Sequence, residues 1–182
     1  MSEITGLIED VRSPLGVAVD ALWPVAYGEL KALARLRIRE VGAVRLIDTT
    51  ALVHESWLKL SAAKYLKVEN RYQFFAYASK VMRSVIVDIA KEQQRQKRGS
   101  GAIHLDIDSA SIDDVGHCEP LKVDEALREL EKFEPRLTQI VEMRYFGGLT
   151  ETEIGEVLGL SARTVRRDWE KARLLLRDSL EG

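Results

Sequence analysis

Cysteine is nearly missing: Cys118 stands alone among 182 residues, so no disulfide can form within the chain and a reducing compartment is expected. No apolar run approaches the length of a membrane span, and Glu3, Glu9 and Asp10 interrupt any secretory leader. The expected location is therefore the cytoplasm, with no membrane partner. His104, His117 and Cys118 lack the spacing of zinc ligands. No carboxylate pair, Cys-His pair, triad spacing or glycine-rich phosphate loop stands where it would build an active site, so neither an enzyme nor a cofactor is expected. Internal repeats are absent as well. Net charge is almost absent too, at −2 from 27 basic and 29 acidic residues, but the balance conceals opposed regions. Lys91, Arg95, Lys97 and Arg98 form one basic run and the C-terminal helix another, whereas Asp106 to Glu119 is acidic. Binding to nucleic acid would be local rather than global.

What the chain does have is 46% hydrophobic residues, enough for one ordinary domain or two small ones, and a distinctive last third. Leu149 to Leu180 reads as two helices joined by a tight turn. Thr150 with Glu153 fits a capping box that starts a short helix at Glu151. Ile154, Val157 and Leu158 give that helix an apolar face, Gly155 is small enough to admit a crossing helix, and Gly159 suits the left-handed residue that ends it. Ser161 is the next cap, after which Val165, Trp169, Ala172, Leu175 and Leu176 recur at helical spacing. Arg163, Thr164, Arg166, Arg167 and Lys171 fall on the other faces. A basic second helix with Arg and Thr in its first turns can enter the major groove and offer forked donors to guanine edges, while the first helix crosses the backbone. A solvated helix pair in a bundle would show the same basic face. The joint placement of Gly155, Gly159 and Val165 favours DNA.

Upstream, Met1 to Ser13 reads as a loose lead-in or a short helix. From Pro14 to about Arg39 the apolar positions keep a helical rhythm, and Pro24 either starts a second helix or kinks one. Gly42 marks a loop, and Asp48 or Thr49 can cap a helix running to about Ala63. A long helix starts after Asn70 and reaches Arg98. Tyr72, Phe74, Phe75 and Tyr77 crowd its start beside Arg71, Lys80 and Arg83. Rings next to cations suit unstacked bases, and a buried Phe-Phe pair fits the same residues. Residues 99–120 form a linker, and two helices divided near Pro135 lead into the final pair.

Together these parts resemble a sigma factor of the two-domain extracytoplasmic-function (ECF) type, over about residues 14 to 180. The strongest match is Met143-Arg144-Tyr145-Phe146-Gly147-Gly148-Leu149 followed by Glu153-Ile154, Gly159-Leu160-Ser161 and Thr164-Val165-Arg166, similar to the family's −35 reading domain. Leu52-Val53-His54-Glu55 with Trp57 and Leu58 is similar to the helix that docks on the clamp helices of RNA polymerase. Arg83-Ser84 and Val87-Asp88, before the basic run, resemble the segment that opens the −10 element.

The resemblance implies an all-α fold with a sigma region 2-like domain (1–98), a flexible linker (99–120) and a sigma region 4-like helix-turn-helix domain (121–182). It implies a transcription initiation factor whose partners are core RNA polymerase, at its clamp helices and flap, and promoter DNA. The −35 contacts would come from Ser161, Arg163, Thr164, Arg166, Arg167 and Lys171. The −10 contacts would come from Asn70, Arg71, Tyr72, Tyr77, Lys80, Arg83, Ser84, Lys91, Arg95, Lys97 and Arg98. Polymerase docking would use Asp48, Thr49, Thr50, Ala51, His54 and Glu55.

One departure from the pattern bears on regulation. Many such factors open the docking helix with several carboxylates, whereas Asp48-Thr49-Thr50-Ala51 keeps one. Phosphorylation of Thr49 or Thr50 would restore roughly −1.5 to −2 of charge. A serine/threonine kinase is thus an expected partner, with Thr50 ahead of Thr49, and a branch of the family resembling this chain is controlled that way. The threonines equally fit cap and first-turn roles, and an anti-sigma protein is the other candidate regulator. The alternative function is a promoter-specific helix-turn-helix regulator that acts without being a polymerase subunit.

Overall fold

The computed structural model of the chain describes residues 3–13, 16–40, 47–99 and 120–181. The expected linker lies almost wholly outside the described residues, as does Gly42.

The fold is all-α, with two helical domains. The first holds α1 (Glu3–Asp10), α2 (Val19–Glu40), α3 (Thr49–Ser61) and α4 (Arg71–Gly99). The lead-in is an anchored helix, because Ile4 and Ile8 of α1 are buried in the core. Pro24 sits inside α2, which is one helix, and its ring is exposed. Asp48 rather than Thr49 caps α3, accepting from the amides of Thr50 at 2.8 Å and Ala51 at 3.0 Å.

A feature that periodicity did not announce is a small antiparallel sheet, β1 (Arg12–Ser13), β2 (Gly16–Ala18) and β3 (Tyr65–Leu66), in that spatial order. It ties the segment before α2 to the α3–α4 connection. Val17 pairs with Leu66, and both are buried. Gly16, at φ 116°, lets the backbones meet, since a Cβ there would stand 2.6 Å from the Leu66 carbonyl oxygen.

The second domain holds α5 (Pro120–Phe133), α6 (Pro135–Val141), a π-helical turn (Glu142–Phe146), α7 (Glu151–Leu158) and α8 (Ala162–Glu181). The local signals around α7 form as the sequence dictates. The Thr150/Glu153 capping box is closed on both sides, and Gly159 adopts φ 68°. Gly155 is needed for a different neighbour than a crossing helix. A Cβ there would lie 2.5 Å from the carbonyl oxygen of Leu160, so it is the returning turn that presses on α7.

The two domains pack on each other. α4 lies against α5, the π turn and α7, and apolar residues from both sides, among them Met82, Ile86, Met143 and Phe146, belong to one buried cluster. The seam is close at Gly147, where a Cβ would stand 3.1 Å from that of Ser79.

Candidate polymerase and nucleic-acid interfaces

Asp48 to Ala51 begin α3 in the order cap, N1, N2, N3. Thr49 and Ala51 are half-buried and Thr50 is exposed. One helical step of four residues carries the same face from Thr50 to His54 and on to Leu58, all exposed, with Leu58 at 65%. Glu55 is exposed beside it. Behind this stripe a ring cluster joins α2 to α3: Trp23 lies 4.5 Å from Trp57, 4.8 Å from Tyr27 and 5.9 Å from the His54 ring. Such rings bury large areas and hold rotamers well, so the stripe stands on a firm base.

The aromatic start of α4 divides in two. Phe74 and Phe75 are buried and pack edge to face at 5.3 Å, so they are core. Tyr72 is half-buried and Tyr77 is exposed. Asn70 accepts from the Gln73 amide at 3.0 Å and starts the helix.

Of the cations expected beside those rings, Arg71 lies over Phe75 at 4.8 Å and over Tyr72 at 5.9 Å, whereas Arg83 is spent differently than the sequence suggests. Arg83 is buried and faces the second domain. Its Nε and Nη2 donate to Asp124 Oδ1 at 3.1 and 2.8 Å, and its Nη1 donates to Glu142 at 2.5 Å. Lys80 reaches Glu142 at 3.9 Å, and Arg71 bridges Glu29 of its own domain and Glu153 of the other. In this arrangement Arg83 is therefore not on an open basic face, and carboxylates of α5 and the π turn surround it. A polar cleft of about 420 Å³ runs along the seam, lined by Lys80, Arg83, Asp88, Asp124, Arg128 and Glu142 among others. Ser84 accepts from Lys59 at 2.8 Å, and the same lysine pairs with Asp88 at 2.5 Å, which joins α3 to α4. Lys91 and Arg95 are exposed farther along α4, and Lys97 and Arg98 belong to its last turn.

On α8, Ser161 takes the Thr164 amide at 3.2 Å and exchanges a hydroxyl bond with it at 2.9 Å. Arg163, Arg166 and Arg167 are exposed and share one face at the i, i+3, i+4 spacing. Arg163 has no ion pair among the described residues. Arg167 reaches the neighbouring Asp168 at 3.3 Å, and Lys171 pairs with Glu134 at 2.5 Å. Asp168 is itself buried and bound to Arg136 of α6 at 2.8 Å, fixing the roll of α8 on its domain.

The group that sequence reasoning missed is Glu151. Its carboxylate joins Arg144 and Arg166, each at 2.8–2.9 Å, and Arg144 in turn lies over the Trp169 ring at 4.8 Å. Hydrogen bonds from Arg166 first, then from Arg144, hold the Glu151 carboxyl below its ordinary range. The Glu151–Arg166 pair spans fifteen residues and a turn, beyond the reach of helical spacing.

Taken together, the geometry is a basic helix presented by a helix-turn-helix and a ring-backed stripe on another domain, with no metal-binding cluster among the described residues. No described helix is long and apolar enough to cross a membrane. A comparison with protein families matches the ECF sigma factor model over residues 1–182, and the chain belongs to that family. No curated protein matched, and neither did any solved structure. As a member, the chain is a non-enzymatic transcription factor that binds RNA polymerase and directs it to promoters.

Proposed function

We propose that phosphorylation of Thr50 switches on docking of this sigma factor to the polymerase clamp. The observation that carries the reading is that Thr50 is exposed at the head of the Thr50–His54–Leu58 stripe, on a helix whose first turn holds no carboxylate. Asp48 already caps α3, so the Thr50 hydroxyl has no capping task. A phosphate at N2 meets the positive end of the helix and faces His54 one turn on, so the added charge stabilises α3 and supplies the missing anion. Thr49, half-buried, is the poorer acceptor site.

In this reading Asp48, Ala51, His54 and Glu55 complete the docking surface. Asn70, Arg71, Tyr72, Tyr77, Lys80, Arg83, Ser84 and the run Lys91, Arg95, Lys97, Arg98 serve the −10 element. Ser161, Arg163, Thr164, Arg166, Arg167 and Lys171 serve the −35 element, and the second domain touches the flap. A binding titration against core polymerase tests the switch. Thr50→Asp binds about tenfold tighter than the unmodified chain, a difference of about 1.4 kcal/mol. Equal affinities for the two would overturn it.

A further inference from the structure

We propose that Glu151 is a positioning residue for promoter reading, which grips Arg166 by the side edge of its guanidinium and leaves the end-on fork of that arginine to one guanine of the duplex. The inference rests on the reading of α8 as the −35 helix.

A guanidinium has two edges that offer paired donors. The side edge carries Nε and Nη2, and the end carries Nη1 and Nη2. Glu151 Oε2 accepts from Nε of Arg166 at 2.9 Å, and Nη2 lies at the same distance from that oxygen as an ion-pair contact. The side edge is thus turned onto the carboxylate, and Nη1 at the end makes no contact with it. That end matches the N7 and O6 acceptors of guanine in the major groove. Arg166 remains 71% exposed in its side chain although held, whereas Glu151 is only 18% exposed.

The brace is itself anchored. Oε1 of Glu151 accepts from Arg144 Nη1 at 2.8 Å, and the Arg144 guanidinium rests on the indole of Trp169, which packs on the core. The Glu151 carboxylate is therefore fixed by the π turn, by α8 and by its own helix. On the first two turns of α8 no other arginine among the described residues is held from another helix: Arg163 has no ion pair, and Arg167 reaches only its sequence neighbour. An exposed arginine otherwise samples many rotamers, and ordering it on DNA costs affinity. Bracing removes that cost for one geometry only, so it acts on selectivity more than on overall affinity.

The test is selection from a duplex pool with a randomised block by the full chain bound to core polymerase, comparing the unchanged protein with Glu151→Gln, Arg166→Ala and the double variant. Thermal melting of each variant checks that the fold is kept. The unchanged protein prefers guanine at one position by about 5- to 150-fold, the range of one bidentate contact. In Glu151→Gln that preference collapses while the other positions keep theirs, and affinity for non-specific duplex rises because an anion has left the groove face. Arg166→Ala loses the same position, and the double variant is no worse than Arg166→Ala. A Glu151→Gln profile that superposes on that of the unchanged protein overturns the positioning role. So does an even loss at all positions. If Arg166→Ala also leaves every preference intact, the −35 reading of that residue falls with it.

Discussion

Arg83 of α4 and Glu142 of the π turn meet at 2.5 Å across the seam of the two domains, and each is 8% exposed. With Asp124 they form the buried centre of an ionic group that Lys80 and Arg128 complete at its rim, and every guanidinium nitrogen of Arg83 donates to a carboxylate. Removing both carboxylates from such a group leaves the buried charge of Arg83 uncompensated and costs about 3–5 kcal/mol. Arg83 can touch promoter DNA only after this contact opens.

Replacing Asp124 by Asn and Glu142 by Gln together therefore separates the domains in the free protein. Small-angle scattering reads this directly. A compact chain of this length has a radius of gyration of about 16 Å, and the double variant exceeds the unchanged protein by several ångströms. Identical radii would show that the apolar contacts and the Arg71–Glu153 pair hold the seam without this group.

Gly155→Ala and Gly28→Ala separate a required glycine from a tolerated one. The first places a Cβ 2.5 Å from the Leu160 carbonyl oxygen, which the turn before α8 cannot yield cheaply, so stability falls by about 1–3 kcal/mol. The second meets nothing within 4 Å inside α2 and raises stability by about 0.5–1 kcal/mol through helix propensity. Chemical denaturation of both variants measures the difference in sign.

The Glu151 contact also has a pH signature. Its folded carboxyl titrates below the ordinary value of 4.5 because Arg166 and Arg144 bind the anion. Folding is therefore favoured by this contact above pH 4.5, and the gain is lost as the pH falls through the lower folded value. The melting temperature of the unchanged protein exceeds that of Glu151→Gln by a constant margin between about pH 6 and 8, and the margin shrinks below the ordinary carboxylate range. A margin independent of pH would contradict the assignment.

The parts of this molecule that were legible in the sequence are those whose cause is local. Thr150 with Glu153, Ser161 before Thr164 and Asp48 before Thr50 are caps written within three residues, and each forms. Gly159 is legible because only its left-handed φ ends α7 there. The burial of Phe74 and Phe75 against the exposure of Tyr77 was not, since one helix face cannot say what packs on it. The strands are two or three residues long, too short for an alternating pattern to show. Arg83 looked like an open DNA-facing cation because its partners, 41 and 59 residues away, belong to another domain. Gly155 is legible as a place of close approach, yet its neighbour is the Leu160 backbone rather than a crossing helix.

The most direct measurement is run-off transcription by core polymerase on genomic DNA fragments, comparing the unmodified chain with Thr50→Asp, Thr49→Asp and Thr50→Ala. Thr50→Asp gives transcripts well above those from the unmodified protein, and Thr50→Ala gives none above background, treated with kinase or not. Equal transcription by all four would contradict the switch and leave the threonines as first-turn residues of α3. DNA binding by the chain alone, with no transcription from any variant, would contradict its role as a polymerase subunit.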